Sequence, residues 1–393
     1  MLKSCRFLNE KTFFFVLVIL LIIIFFHGCR KQKSHIFEND NANLTTIVIP
    51  NVVESSDIVI IDNDLKYIIL EEKENSFFGH VSKLRVYKNK IYVFDRRYAQ
   101  AIFIFTIEGK HLASIGINKG QGPLEFISIH NFEIDYFNDQ LLIMDNFGFK
   151  FMVYDLEGNF IKRIDSNIPV TQAVLLPDWH IVHAKNSNSY MKTGQSDCCI
   201  IITDDKKQVV KEGFRYYDNK DLDVISFGVF YTLMDGGINF APRFKDTIYN
   251  VSFEEISPKY AIDFGNNKRI SKSVIDKLSS SIDLFKLMSD GNLCFIGDHV
   301  ESDDFLYLKL SDVAVFFNKK TNNTIAISNK FKGKGRWAEH ELYEILCSDS
   351  EGYFYGAFNL APIDELIKLF PEMDELDKNR DLNPVLFRYK IKK

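Results

Sequence analysis

The chain has 393 residues and a formal net charge of −5 at pH 7, with acidic and basic residues interspersed. This even charge pattern gives no indication of a nucleic-acid partner. Phe and Tyr are abundant, at 36 and 17 residues, while Pro is scarce at 9. Aromatic side chains suit pleated, half-buried surfaces, so the composition favours β-sheet.

The N-terminus has the pattern of a secretory signal. Lys3, Arg6 and Lys11 precede an uncharged apolar run of 14 residues, Phe13–Phe26. As a helix this run is about 21 Å long, shorter than the roughly 30 Å that a membrane span requires. We therefore interpret it as the apolar region of a signal peptide rather than a membrane anchor.

The motif Phe26-His27-Gly28-Cys29 resembles the lipobox of bacterial lipoproteins, in which Gly precedes the Cys that is acylated. Phe26 and His27 depart from the usual Leu and small residue of that motif. The resemblance implies a signal peptide over residues 1–28 and lipidation at Cys29, and an uncleaved anchor or an ordinary signal peptide remain the alternatives. Residues 29–57 are then expected to form a flexible tether, and residues 58–393 the folded body.

The rest of the chain contains a repeat of about 50 residues. Asn89–Asp95 has the pattern of a turn and a strand that ends on Asp, and Asp139–Asp145 repeats this pattern. Each is followed by an apolar run and a Glu-Gly turn, at Glu108-Gly109 and Glu157-Gly158. Gly suits the positive φ of tight hairpins. Four antiparallel strands recurring at this period are typical of β-propeller blades, and the length allows six or seven.

Three further segments complete the predicted architecture. Apolar residues at helical spacing predict a helix within Ser271–Met288 and another over Ile363–Phe370, both inserted in loops at the rim. The strand Lys66–Glu71 precedes the first complete blade. We expect it to pair beside Pro384–Ile391 and close the ring, which removes an open sheet edge.

Several motifs resemble a known family, the six-bladed β-propeller lipoproteins of Bacteroidetes-type Gram-negative bacteria. They are Gly120–Phe126, Asp246–Tyr249, Pro258–Gly265 and Asn383–Leu386. The resemblance implies an all-β, six-bladed propeller of four-stranded antiparallel blades over about residues 60–391. Most members have no assigned activity, so the family indicates a fold more than a function.

The histidines provide the candidate channel site. His80 and His130 each lie 15 residues before an aspartate, Asp95 and Asp145, so the spacing predicts equivalent positions in consecutive blades. Innermost strands line a propeller channel, which makes this pair a possible ligand set for a divalent metal. The alternative is that each His only caps its strand. The aspartates are expected to accept hydrogen bonds from turn amides.

Other candidates carry less information. The acidic cluster at residues 218–223 lacks the Gly and distal Glu of a Ca²⁺ loop and is interpreted as a solvated loop. Trp179 and Trp337 lie near turns, where an exposed ring could stack on a sugar or peptide, although packing is the simpler role. Four cysteines of the mature chain are interpreted as buried thiols, with one disulfide between the last two as the alternative; they are Cys198, Cys199, Cys294 and Cys347.

Together these features predict a membrane-tethered extracytoplasmic lipoprotein that acts as a non-catalytic ligand-binding or protein-interaction module. Its expected partners are the membrane, through Cys29, and a protein, peptide or carbohydrate on one propeller face, with no cofactor. The alternative is a channel-centred, metal-dependent lyase or hydrolase that acts on a carbohydrate or peptide. Because Arg30–Lys33 is basic, whereas surface-export tags of related lipoproteins are acidic, the periplasmic face of the outer membrane is favoured over the cell surface.

Overall fold

The computed structural model divides the chain into two compact units, Met1–Ser34 and His35–Lys393. Cys29, Trp179 and the acidic cluster at 218–223 lie outside the residues that the structure describes. The described residues are 34–35, 37–38, 43–54, 61, 64–145, 147, 149–166, 172–177, 180–184, 198–204, 208–215, 229–242, 244–278, 280–329, 337–375 and 383–392.

The second unit is built from six antiparallel sheets, which we call blades 1 to 6. Blade 1 contains β6 (Lys83–Tyr87), β7 (Lys90–Asp95), β8 (Ala101–Thr106) and β9 (His111–Ile115). Blade 2 contains β10 (Ile129–Asp135), β11 (Gln140–Asp145), β12 (Lys150–Asp155) and β13 (Phe160–Asp165). Blade 3 contains β14 (Gln172–Leu175), β15 (Ile181–Ala184), β16 (Cys198–Thr203) and β17 (Val209–Arg215).

The remaining blades follow the same order. Blade 4 contains β18 (Val229–Thr232), β19 (Ile238–Ala241), β20 (Thr247–Val251) and β21 (Glu255–Asp263). Blade 5 contains β22 (Phe295–Glu301), β23 (Phe305–Leu310), β24 (Val313–Asn318) and β25 (Thr324–Ser328). Blade 6 contains β26 (Ile345–Ser348), β27 (Phe354–Phe358), β28 (Val385–Tyr389) and β5 (Lys66–Ile68).

Blade 6 confirms the predicted ring closure. Its outermost strand is β5, from the N-terminal side of blade 1, and β5 pairs antiparallel with the C-terminal strand β28. Leu386 lies opposite Ile68, and Phe387 lies opposite Tyr67. The two ends of the propeller sequence therefore share one sheet, which leaves no open edge between the first and last blades.

The first strands of the blades surround the central axis. Neighbouring first strands contact each other around the ring, as β10 does with β14 and β26 with β6. The apolar core lies between blades; for example, Phe94 of blade 1 packs with Phe132 and Ile143 of blade 2. Because both faces of a blade are covered by its neighbours, every residue of Ile91–Asp95 is buried.

Short strands from the N-terminal region extend the blades. β1 (Ser34–His35) and β2 (Phe37–Glu38) come first, followed by β3 (Thr45–Val48) and β4 (Val53–Glu54). β2 and β3 pair parallel with β21 of blade 4, and β4 pairs parallel with β25 of blade 5. The folded body therefore uses residues that precede position 58, where the sequence placed its start.

The helices agree with the sequence only in part. Ser271–Met288 forms two helices, α1 (Lys272–Ile275) and α2 (Ser281–Ser289), instead of one. The break has a local cause, because Ser280 is extended and its side chain accepts the Asp283 amide as an N-cap. The second predicted helix is confirmed as Ile363–Leu369, which we call α4. Two helices were not predicted: the short helix α3 (Trp337–Glu341), which precedes α4, and a 3₁₀ helix (Pro371–Glu375), which follows it.

The cysteines whose side chains are described remain unpaired. Cys294 and Cys347 are both buried free thiols, so the alternative of a disulfide between them is wrong. Burial raises the pKa of each thiol to about 12. The side chains of Cys198 and Cys199 lie outside the described residues.

Candidate functional site

The first strands enclose a pocket of about 500 Å³ at one end of the channel. This end is where most of the first strands begin, and we call it the entry face. All six blades contribute to the pocket, which is lined in order by Lys83 and Arg85, His130 and Asn131, Gln172, Tyr231, His299, and Leu346. A volume of this size suits a small molecule.

His80 and His130, which have the same spacing to an aspartate in the sequence, do not occupy equivalent positions in their blades. In blade 1 the first two strands are joined by the two-residue turn Lys88-Asn89, whose φ angles are both positive. In blade 2 a four-residue loop, Tyr136–Asp139, joins them. Counting 15 residues back from each aspartate therefore crosses hairpins of unequal length. The predicted equivalence of His80 and His130 is wrong for this reason.

The strand register shows the true correspondence. Lys83 lies opposite the residue that precedes Asp95, and Asn131 lies opposite the residue that precedes Asp145. Lys83 and Asn131 are therefore equivalent. His130 is the extra residue of a bulge, since Ile129 lies opposite Asp145 and Asn131 lies opposite Met144.

The two histidines also have different surroundings. His130 lines the pocket, and burial together with the nearby Arg96 lowers its pKa to about 4. His80 is not among the lining residues, and its Nδ1 lies 3.2 Å from Oγ of Ser82. Burial and Arg97 lower the pKa of His80.

The metal-binding hypothesis can be tested on the purified protein. Within the described part of the chain, no group of three or more His, Cys, Asp or Glu side chains is arranged to hold a metal ion. We expect no stoichiometric metal after purification without chelator, measured by elemental analysis. Tightly bound metal at one ion per chain, lost in a folded His80→Ala/His130→Ala variant, would establish the metal-dependent alternative.

The aspartates at the strand ends have the predicted role. The buried Asp95 carboxylate accepts backbone N–H groups of Gly79, Arg97 and Tyr98 at 2.9, 2.8 and 2.9 Å. Asp145 in turn accepts the amide of Ile127 at 2.8 Å. These bonds tie the second strand of each blade to the chain that enters the first strand, so they shape the rim of the pocket.

The glycine-containing motif Gly120–Phe126 forms a turn between blades 1 and 2. The Glu125 carboxylate accepts the amide of Gly122 at 2.8 Å. The amide of Gly120 donates to the carbonyl oxygen of Phe126 at 3.0 Å. This turn places Phe126 in the core shared by blades 1 and 2, just before the chain enters β10.

Three cationic side chains in the pocket wall are paired with carboxylates. Glu133 of β10 is buried and binds both Lys83 and Arg85, with the Arg85 Nη2 at 3.3 Å. Burial, reinforced by Arg85, lowers the pKa of Lys83 to about 8 despite the opposing effect of Glu133. Lys309 pairs with Glu344 on the opposite side of the pocket.

His299 was not identified from the sequence, yet it lies in the pocket wall. Its Nδ1 is 2.7 Å from the carbonyl oxygen of Gly297, which can only accept, so Nδ1 carries the proton. Burial lowers the pKa of His299 to about 4, so the ring is neutral at pH 7. Its Nε2 is therefore an acceptor, and this buried atom has no hydrogen-bond partner within the described residues.

A bulge in β22 positions His299. Phe295 and His299 are four residues apart, whereas their partners Leu310 and Leu308 are two apart. Two extra residues therefore bend this strand at the pocket, and Gly297 supplies a φ of +105°. Gly within a strand pattern is the sequence signal that marks such a bulge.

The fold and these residues define the class of the protein as a six-bladed β-propeller with a polar pocket at one channel end. Residues 44–390 match the family described as domain of unknown function DUF4934. The chain therefore belongs to the DUF4934 family. No curated protein matches the chain.

The chain is similar to several solved structures. A Bacteroides fragilis NCTC 9343 protein that carries the description of an exported protein has 16% identity and a TM-score of 0.66, covering 89% of this chain and 100% of its own. A DUF4221 family member from Bacteroides vulgatus ATCC 8482 has 13% identity and a TM-score of 0.49, covering 84% and 99%. Virginiamycin B lyase from Staphylococcus aureus has 10% identity and a TM-score of 0.40, covering 75% and 81%. The similarity to the Bacteroides fragilis protein, at 16% identity, shows the fold alone.

Among the residues that the structure describes, no helix has the length and apolar character needed to cross a membrane.

Proposed function

We propose that the protein is a membrane-tethered, extracytoplasmic lipoprotein whose propeller binds a small ligand in the pocket at the entry face. The observation that carries the binding role is the pocket of about 500 Å³ to which the first strands of all six blades contribute. A rigid ring holds its polar side chains in fixed positions, which lowers the ordering cost of binding.

The pocket has the usual composition of a small-ligand site. Apolar and aromatic wall residues such as Phe94 and Tyr231 alternate with polar groups such as Asn131 and Gln172. The rim is held by the Asp95 and Asp145 bonds described above. Loops fixed in this way present a preformed surface, so we propose a module that binds and does not catalyse.

A pocket-filling substitution tests the binding role. His130→Trp should reduce binding of small polar compounds that raise the melting temperature of the wild-type protein, because the indole occupies space in the pocket. Phe160→Trp is the matched control, since Phe160 is exposed on the outermost strand of the same blade. Compounds that stabilise wild type and both variants equally would show that binding occurs elsewhere.

The tether is proposed from the Gly28-Cys29 junction. We expect metabolic labelling with a fatty acid to mark the wild-type protein and not a Cys29→Ala variant, because the variant lacks the thiol to which the lipid is attached. Equal labelling of both proteins would contradict lipidation. Protease treatment of intact cells should spare the protein, since we propose the periplasmic face of the outer membrane.

A further inference from the structure

We propose that the ligand of this pocket is a small anion that also carries hydroxyl or amide hydrogen-bond donors, with Arg96 binding the anionic group and His299 accepting from a donor. This inference rests on the proposed binding function, and it adds the chemical class of the ligand. Two observations support it. The cationic side chains in the pocket outnumber the acidic ones, and two buried nitrogen atoms in its wall have no hydrogen-bond partner among the described residues.

The pocket carries more positive than negative side chains. Among its lining residues, the cationic side chains of Lys83 and Arg85 are bound by Glu133, and that of Lys309 is bound by Glu344. The fourth cation, Arg96, also lines the pocket. The acidic lining residues are Asp298 and Glu344.

Arg96 is the cation available to a ligand. It is exposed at the rim, and its side chain makes no hydrogen bond or ion pair with the residues described. Its backbone is fixed, because its amide donates to Oγ of Ser82 at 3.1 Å. A guanidinium group presents several donors in a plane and binds a carboxylate or phosphate through two of them.

His299 adds a second requirement. Its side chain is 4% exposed, and Nε2 is an acceptor without a partner within the described residues. An ionised carboxylate has no proton to donate, so a simple anion cannot satisfy this atom. The ligand must therefore also carry an O–H or N–H group.

Arg85 is a second wall residue with an unmet hydrogen bond. Its side chain is buried, and its Nε has no partner among the described residues. The guanidinium lies over the ring of Tyr231 at 5.3 Å, and the same ring lies 5.7 Å from that of His299. The side chains that carry the unpartnered donor and acceptor therefore both pack against one aromatic ring. Unmet buried donors and acceptors are unfavourable in the free protein, and a ligand that pairs with them restores the missing hydrogen bonds.

Two kinds of small molecule share this chemistry. An acidic sugar combines a carboxylate with hydroxyl groups, and a peptide C-terminus combines a carboxylate with an amide N–H. Glucuronate and N-acetylglycylglycine represent the two sources. Glucose has donors without the charge, and acetate has the charge without the donors.

Calorimetric titration of the full chain in detergent tests the proposal with these four probes. We expect at least one of the two acidic probes with donors to bind about tenfold more tightly than glucose and acetate. Arg96→Gln should weaken that probe about tenfold, whereas Arg97→Gln, an exposed neighbour, should not. His299→Phe should weaken the same probe and leave acetate unchanged.

The variants keep the test interpretable. Phe replaces His299 with a ring that has no unmet acceptor, but it also removes the Nδ1–H bond to the Gly297 carbonyl oxygen, so the melting temperature of the variant is measured beside its affinity. Failure of both acidic probes to bind wild type, or equal binding of glucose and glucuronate with no effect of Arg96→Gln, would overturn the anion inference. The proposed binding function is decided separately by the His130→Trp comparison.

Discussion

Deletion of Pro384–Lys393 should abolish the cooperative unfolding transition of the propeller. The deletion removes β28, which lies between β27 and β5 in blade 6. Without it, β5 loses its antiparallel partner, β27 loses one of its two partners, and the ring opens. Burial of a large apolar side chain contributes about 1.5–3 kcal/mol, and four such residues of β28 are buried, namely Val385, Leu386, Phe387 and Tyr389.

The summed loss of about 6–12 kcal/mol is similar to the whole stability of a typical domain, about 5–15 kcal/mol. Thermal melting followed by circular dichroism measures the effect. Deletion of Lys392 and Lys393 is the control, because both residues lie beyond β28 and Lys392 is exposed. A truncated chain with an unchanged melting transition would contradict closure through the two ends of the sequence.

Glu301→Gln should destabilise the protein by about 3–5 kcal/mol at pH 7, the usual cost of breaking a buried ion pair. Glu301 is buried at the end of β22 and binds Lys259 and Lys319, each at 2.9 Å. It also accepts hydrogen bonds from Tyr260 at 2.9 Å and from Asn239 at 2.6 Å. The network joins blade 4 to blade 5, so an amide would leave two ammonium groups without their counter-charge.

The pH dependence follows from the same contacts. Burial on its own raises the pKa of Glu301, but Lys259 and Lys319 outweigh it and lower the pKa from 4.5 to about 2. The stabilisation is therefore present above pH 4.5 and is lost as the pH falls toward 2. In urea unfolding, the difference in the free energy of unfolding between wild type and Glu301→Gln should decrease as the pH falls across that range. Asp303→Asn is the matched control, because Asp303 is exposed. A difference in unfolding free energy that does not change with pH would contradict the ionic origin.

The propeller could be predicted from the sequence because its blades repeat local patterns. The strand that ends on Asp95, the Glu108-Gly109 turn and their repeats in blade 2 are short-range signals that need no tertiary information. The parallel pairing of β3 with β21 joins residues more than 200 positions apart, and nothing local in Thr45–Val48 reveals that partner. Ser280 similarly interrupts a helical pattern through a cap that only backbone geometry reveals.

The candidate site could be predicted less well. The sequence placed His80 and His130 together at the channel, but only His130 lines the pocket, because the count crossed turns of unequal length. Arg96 belongs to blade 1 and His299 to blade 5, and only the closed ring of blades brings them to the same pocket. Gly297 marks the bulge in the sequence, yet the pattern does not say which neighbouring side chain faces the pocket.

Native mass spectrometry of the full chain, equilibrated with a small-molecule extract of the producing cells, tests the central claim most directly. The claim is that the entry-face pocket holds a small ligand. We expect a one-to-one adduct on wild type and on Phe160→Trp, and its loss in His130→Trp with an unchanged melting temperature. An adduct retained in His130→Trp, or no adduct on wild type, would contradict the pocket as the binding site.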